Sequence, residues 1–148
     1  MSRDVRKAAE RMKKILFVCT GNTCRSPMAA AMWRRMGGEA ESAGLRAPSG
    51  AWASDNSVRV MDEEGIDLRD HRSSPVTADL LRWADLVYCM TEGHAFRIGM
   101  FFPSFADKVR VMPVEVPDPY GGSLDDYRAA AGRIREALRL IAQGEAAG

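Results

Sequence analysis

The sequence predicts an α/β protein, a three-layer sandwich in which about five helices flank a central four-stranded parallel sheet. Short apolar runs alternate with longer stretches whose apolar residues recur every three or four positions, as in successive βαβ units. The chain has 148 residues, 46% of them hydrophobic, which is enough for one core. We therefore expect one domain over residues 13–148, preceded by a flexible, polar N-terminal extension at residues 1–12.

The first strand and the first helix are predicted on either side of a short loop. Residues 15–18 form a continuous apolar run, typical of a buried parallel strand, which ends at Cys19. The helix should begin just after Arg25, because Pro27 suits a first helical turn. Three methionines then recur on one helical face: Met28, Met32 and Met36.

The middle of the chain continues the alternation. Residues 41–43 are predicted to form a short strand, followed by a helix over residues 54–64 with Val58 and Met61 facing inward. Gly65 should end that helix. Thr77 is expected to cap a short helix with three apolar residues: Leu80, Leu81 and Trp83.

The C-terminal part supplies the remaining elements. Residues 86–89 and 109–112 are apolar runs that predict the third and fourth strands, with a helix from 91 to about 102 between them. The last helix carries an unbroken apolar stripe: Leu124, Tyr127, Ala131, Ile134, Leu138 and Ile141.

Composition excludes several classes of function. The net charge of +1 does not fit a nucleic-acid-binding protein, although the chain has 17 Arg against 4 Lys. No apolar run approaches the 18 residues of a membrane span, and the N-terminal apolar stretch is too short for a signal peptide. Three cysteines give no even disulfide framework. We therefore expect a cytoplasmic protein that binds neither nucleic acid nor membrane. A monomer is the expected state, although the sequence does not determine it.

The loop between the first strand and the first helix, residues 19–25, has the features of an anion site. Gly21 and Asn22 readily adopt positive φ, which a tight strand-to-helix loop needs if its N–H groups are to point inward. Inward N–H groups and the partial positive charge of the helix N-terminus both attract anions. We call this segment the 19–25 loop.

Three side chains in or directly after the 19–25 loop fit phosphoryl transfer. The helix N-terminus and Arg25 would favour the thiolate form of Cys19, which is a nucleophile. Arg25 presents a planar fork of donors that can grip two phosphoryl oxygens, and Ser26 can donate its hydroxyl to the Cys19 sulfur. Taken singly, Cys19 could be a buried strand cysteine, Arg25 a surface arginine, and Gly21 and Asn22 an ordinary turn.

Residues 19–29, CTGNTCRSPMA, resemble the signature loop of the low-molecular-weight protein tyrosine phosphatase family. The similarity extends over about residues 13–142. Further landmarks agree with it: SAG at 42–44, His71 with SS at 73–74, ADLV at 84–87, MT at 90–91 and DPYGGS at 118–123. The resemblance implies phosphate binding by the loop residues Thr20, Gly21, Asn22, Thr23, Cys24 and Arg25.

Two positions resemble a narrower subgroup, the bacterial protein arginine phosphatases. Thr23 stands where tyrosine-directed members usually carry an aliphatic residue, and residues 121–123, Gly-Gly-Ser, replace a second aromatic. The resemblance implies hydrolysis of phosphoarginine in proteins through a phosphocysteine, with Thr23 and Tyr120 setting specificity. Tyr120 departs from the Phe of arginine-directed members, and Thr23 could be a passive loop residue. Phosphotyrosine is therefore the alternative substrate.

Asp118 is the predicted general acid. Because Pro117 and Pro119 surround it, the backbone there should be stiff and extended, which suits a fixed carboxyl group. From the residues alone, Asp118 could equally be a turn aspartate. The resemblance implies that it protonates the leaving group and then activates water.

Supporting roles are expected for His71 and Cys24. The resemblance implies that His71 fixes Asn22 in its strained conformation; it could also be a turn histidine. Cys24 lies five residues from Cys19 and could form a reversible disulfide that protects the nucleophile from overoxidation, or could be a small buried thiol. Cys89 lies in an apolar strand and is predicted to be core.

We expect no cofactor and no metal, since His71 and His94 show no ligand spacing with the cysteines. Phosphorylated proteins are the expected partners. Two further alternatives are weaker. A thioredoxin-coupled arsenate reductase would need two further cysteines close together downstream, whereas Cys89 stands alone. A non-enzymatic phosphate-binding module would have no need of Cys19, Arg25 and Asp118 together.

Overall fold

The computed structural model describes residues 3–4 and 14–147. The predicted N-terminal extension, residues 1–12, and its boundary at residue 13 lie outside the described residues apart from Arg3 and Asp4. No helix in the described part of the chain has the length and apolarity needed to cross a bilayer.

A four-stranded parallel sheet forms the centre, as predicted. Its strands are β1 (Ile15–Cys19), β2 (Ala40–Gly44), β3 (Leu86–Cys89) and β4 (Val109–Val111), in the spatial order β2-β1-β3-β4. β2 is one residue longer at each end than predicted, because its whole length pairs with β1. β4 is one residue shorter, since Pro113 lacks the N–H needed to continue the ladder.

Five α-helices are found between residues 14 and 147: α1 (Arg25–Arg35), α2 (Asp55–Glu63), α3 (Ala78–Trp83), α4 (Glu92–Phe101) and α5 (Leu124–Ala147). An unpredicted 3₁₀ helix, Pro103–Lys108, follows α4. The Thr77 hydroxyl caps α3 by accepting from the Leu80 N–H, as predicted. Thr91 caps α4 in the same way, and Gly65 adopts a φ of +75° just after α2.

The helices cover both faces of the sheet. Because side chains alternate along a strand, Ile15 and Phe17 pack against α1, α2 and α5, whereas Leu16 and Val18 pack against α3 and α4. Met61 of α2 is buried as predicted, but Val58 is only half-buried, and Val60 takes the inner position instead.

The strand order determines where a ligand can bind. The connection that leaves β1 runs to β2 on one side, and the connection that leaves β3 runs to β4 on the other, so the two diverge at the carboxyl edge between β1 and β3. Ligands of open α/β sheets bind at such a switch point. Cys19, the last residue of β1, lies at this edge.

Candidate active site

The 19–25 loop is wound around Asn22, which is fully buried and has a φ of +57°. His71 Nε2–H donates to the Asn22 carbonyl oxygen at 2.7 Å, and the Ser74 N–H donates to Asn22 Oδ1 at 2.9 Å. Asn22 Nδ2 donates to Ser26 Oγ at 2.7 Å. Burial lowers the pKa of His71, although its bond to Asn22 opposes this. The left-handed conformation is therefore held from three sides by neutral groups.

The Cys19 sulfur faces two hydrogen-bond donors. The Asn22 backbone N–H donates to Sγ at 3.3 Å, and Ser26 Oγ lies 2.9 Å from it. Ser26 Oγ accepts from the side-chain amide of Asn22, so its one hydroxyl hydrogen is left for either of two acceptors. These are the Cys19 sulfur at 2.9 Å and the Ala43 carbonyl oxygen at 3.5 Å, of which the sulfur is the nearer. The contact between Ser26 and Cys19 expected from the sequence is present, and these donors can stabilise a thiolate.

A pocket of about 220 Å³ opens above this sulfur. It gathers most of the predicted site residues, and its lining consists of Cys19, Thr20, Gly21, Thr23, Cys24, Arg25, Asp118 and Tyr120. Asn22, Ser26 and His71 lie behind the loop, where their bonds shape it.

Arg25 is 4% exposed and is therefore no surface arginine. Its Nη1 donates to the Val116 carbonyl oxygen at 2.9 Å, and its Nη2 lies 3.8 Å from the Asp118 carboxylate. Arg25 Nε is buried, and no described residue accepts a hydrogen bond from it. Since an unmatched buried donor is costly, this atom indicates a place for an anionic acceptor.

Asp118 lies across the pocket from the loop. Its carboxylate is 52% exposed, and Oδ1 accepts a hydrogen bond from the Tyr120 N–H at 3.0 Å. The Tyr120 ring, 77% exposed, stands at the rim of the pocket. A carboxyl group with one fixed oxygen and access to water can exchange protons with a bound group.

Thr23 and Cys24 are adjacent but have different surroundings. Thr23 lines the pocket, and its carbonyl oxygen accepts from the Ser54 N–H at 2.9 Å. The Cys24 thiol lies 3.4 Å from the hydroxyl oxygens of both Ser54 and Tyr127. Burial, followed by the contact with Cys24, raises the pKa of Tyr127 to about 12, so its hydroxyl stays protonated.

His94 is a site residue that the sequence did not reveal. Its Nε2 is 2.9 Å from Thr20 Oγ1 and its Nδ1 is 2.9 Å from Thr91 Oγ1. Burial, then the charges of Arg25 and Arg97, lower the pKa of His94 to about 4. Its spacing from the cap Thr91 was visible in the sequence, but the partner Thr20 lies 74 residues away.

Gly44 was also missed as a site residue. A Cβ at this position would overlap the Thr20 carbonyl oxygen and lie 3.0 Å from the Asn22 nitrogen. The end of β2 can therefore approach the 19–25 loop closely only because this residue is glycine. No cluster of three or more His, Cys, Asp or Glu able to hold a metal occurs among the residues that the structure describes.

The fold and site together define an α/β protein whose first strand ends in a cysteine that faces a pocket lined by the 19–25 loop. Comparison with known proteins identifies the family: residues 14–146 match the model for low molecular weight phosphotyrosine protein phosphatases. The chain belongs to this family and is a hydrolase.

Individual relatives resemble most of the chain. The protein-arginine-phosphatase of Geobacillus stearothermophilus is 39% identical over 140 residues, covering 88% of this chain and 94% of the relative. The low molecular weight protein-tyrosine-phosphatase Wzb of Escherichia coli K12 is 33% identical, covering 87% and 92%. A solved arginine phosphatase, YwlE, in a cysteine-to-serine variant with a phosphorylated active-site serine, superposes with a TM-score of 0.83 at 38% identity, covering 88% and 94%.

Proposed function

We propose that this protein is a protein arginine phosphatase that hydrolyses phosphoarginine through a phosphocysteine at Cys19. The observation that carries the proposal is the convergence of a thiol, a buried guanidinium and a carboxyl group, from Cys19, Arg25 and Asp118, on one pocket. Similarity to arginine phosphatases, one of them phosphorylated on an active-site serine, supports it.

Binding would use the backbone N–H groups of the 19–25 loop together with Arg25. Nη1 of Arg25 is occupied by Val116, which fixes the plane of the guanidinium. Nε and Nη2 then offer a two-pronged contact to phosphoryl oxygens, which would supply the acceptor that Nε lacks.

Attack would proceed from the Cys19 thiolate, held by Asn22 and Ser26. The sulfur forms a bond to phosphorus while the bond from phosphorus to the guanidine nitrogen breaks. This nitrogen is so basic that it must depart protonated, and Asp118 in its acid form donates that proton. The products of the first step are phosphocysteine and the dephosphorylated arginine side chain of the protein substrate.

Hydrolysis of the phosphocysteine would reverse the role of Asp118. Its carboxylate takes a proton from a water molecule as the water oxygen attacks phosphorus. The bond between phosphorus and sulfur breaks, inorganic phosphate leaves, and the Cys19 thiolate is restored. The Ser26 hydroxyl, 2.9 Å from the sulfur, stabilises the negative charge that returns to it.

Two histidines would act as positioning residues for the loop. His71 donates a hydrogen bond to the Asn22 carbonyl oxygen, and the His94 ring is hydrogen-bonded to the Thr20 hydroxyl. The segment that follows Cys19 is therefore fixed at both Thr20 and Asn22. Both pKa values are lowered by burial, which keeps the rings neutral and their hydrogen bonds unchanged around pH 7.

Specificity for arginine over tyrosine would depend on Thr23 and Tyr120. The Thr23 hydroxyl provides a polar contact for a guanidino group where a methyl group would favour a phenyl ring. Tyr120 can stack on a planar guanidinium, but equally on a phenol, so phosphotyrosine is the second candidate substrate, favoured by the family itself.

The test compares kcat/KM for matched phosphoarginine and phosphotyrosine peptides. We expect a preference for phosphoarginine that Thr23→Ile shifts toward phosphotyrosine by about 10-fold, which corresponds to the loss of one hydrogen bond worth about 1.4 kcal/mol. Thr23→Ser keeps the hydroxyl and should keep the preference. A phosphotyrosine preference in the unmodified protein would refute the arginine assignment.

Two other proposals concern the thiols. Cys24 lines the same pocket as Cys19, and all three cysteines are free, so a protective disulfide between Cys19 and Cys24 is available on oxidation.

A relay through Cys89, which arsenate reduction would need, is disfavoured because burial raises the pKa of that thiol to about 12. A mechanism that depends on a free thiolate suits the reducing cytoplasm.

A further inference from the structure

A second groove, of about 370 Å³, is lined by Leu45, Arg46, Arg97 and Phe101. Leu45 is half-buried against the core, and Phe101 is 68% exposed, so the groove has apolar walls. Its two polar groups are both cations.

Two hydrogen bonds place this groove beside the 19–25 loop. The Arg46 N–H donates to the Thr20 carbonyl oxygen at 2.9 Å. Arg97 lies one helical turn after His94, whose ring is 2.9 Å from Thr20 Oγ1. Both arginines are therefore attached to backbone segments that contact the residue next to the nucleophile.

The guanidinium groups of this groove lack anionic partners. Among the arginines of residues 14–147, only Arg46, Arg59 and Arg97 have a guanidinium group that makes neither a hydrogen bond nor an ion pair with a described residue. Two of these three line one groove, so their positive charges add there without neutralisation by described carboxylates. Such an arrangement attracts a carboxylate from another molecule.

We propose that the groove of Leu45, Arg46, Arg97 and Phe101 is a subsite for an acidic side chain that flanks the phosphorylated residue of the protein substrate. The carboxylate lies between the two guanidinium groups, and its methylene stem packs against Phe101 and Leu45. The inference rests on the proposed phosphatase function, because the flanking residues of a substrate can reach this groove only while the phosphoryl group is in the 19–25 loop.

The test measures binding, so that turnover is not required. The Cys19→Ala variant, which has no side-chain group that can accept a phosphoryl group, is titrated with phosphoarginine and phosphotyrosine peptides whose neighbouring residues are either Glu or the isosteric Gln. Two exposed ion pairs predict about fivefold tighter binding of the Glu peptides at low salt. The difference should vanish near 0.5 M NaCl, where the Debye length is only a few ångströms. Equal affinity for Glu and Gln peptides at low salt, or no binding of either, would overturn the subsite.

Substitutions locate the effect. Arg46→Gln with Arg97→Gln should reduce the Glu-to-Gln preference to about one, whereas Arg59→Gln, the third unpaired arginine, should leave it at about fivefold. If Arg59→Gln reduced the Glu-to-Gln preference as much as the double variant does, the assignment of the subsite to Arg46 and Arg97 would be contradicted. If the unmodified protein hydrolyses none of the phosphopeptides while the charge preference in binding persists, the phosphatase function is wrong and the subsite stands.

Discussion

Replacing His94 with Gln tests the state of the buried ring that holds Thr20. The folded protein keeps His94 neutral, since burial and the charges of Arg25 and Arg97 lower its pKa to about 4, with Asp118 opposing them. In the unfolded chain the pKa returns to its usual value near 6.5. Between these two pH values, unfolding therefore takes up a proton.

The sign and size follow from linkage. Because the unfolded state binds more protons, the free energy of unfolding falls as the pH is lowered through 6.5 toward 4. A shift from 6.5 to about 4 removes about 2 kcal/mol of stability between pH 7 and pH 5, and about 3 kcal/mol once the pH falls below 4. Gln does not titrate, so the His94→Gln variant should lack this component.

Urea denaturation of both proteins at pH 5, 6, 7 and 8 measures the effect. Carboxylates and His71 titrate alike in the two proteins, so the difference between their stability curves isolates His94. We expect the wild-type curve to drop by about 2 kcal/mol more than the variant curve from pH 7 to pH 5. Parallel curves would refute the neutral, buried state of this ring and with it the argument that His94 bonds Thr20 unchanged across this range.

Three further predictions use paired variants or paired substrates. Gly44→Ala should destabilise the protein by about 1–3 kcal/mol, measured by urea denaturation, and should weaken the binding of tungstate, measured by calorimetry. The control is Gly99→Ala, which lies within a helix where an added Cβ meets nothing, and it should be neutral or stabilising. Thr91→Ala and Thr77→Ala each remove a helix cap worth about 1 kcal/mol. Because Thr91 also contacts the His94 ring, only Thr91→Ala should lower kcat/KM as well. Equal kcat/KM values for the two variants would exclude the positioning role of His94. Asp118→Asn should lower kcat/KM, which reports the steps up to departure of the leaving group, about 10²–10⁴-fold for phosphoarginine. The loss should be far smaller for p-nitrophenyl phosphate, whose leaving group departs as an anion. Equal losses of kcat/KM would contradict the acid role of Asp118.

The fold was accessible from the sequence because each element follows a local rule. The apolar run of β1, the spacing along α5 and the caps Thr77 and Thr91 depend on residues within one or two turns. The predictions missed the 3₁₀ helix after α4 and placed Val58 where Val60 faces inward. They also missed the end residues of β2, which are decided by pairing with β1 and not by a local rule.

The site was only partly accessible, because several of its contacts join distant residues. The sequence pattern could not show that Arg25 is buried, that its partner is the Val116 carbonyl 91 residues away, or that His94 holds Thr20. Tyr127 illustrates the limit: its place in the apolar stripe of α5 predicted a core residue, which it is, yet its hydroxyl also contacts the Cys24 thiol.

The conformation of Asn22 suggests why so many contacts surround one short loop. A non-glycine residue with positive φ is strained by about 1–3 kcal/mol and persists only when its neighbours determine it. Four groups supply that constraint: the side chains of His71, Ser26 and Asn22 itself, and the backbone N–H of Ser74. Since these contacts all come from the protein itself, the substrate does not have to supply the energy of bending the loop. The binding energy of the phosphoryl group is then available to hold it against Cys19 and Arg25, which is the condition for attack by the thiolate.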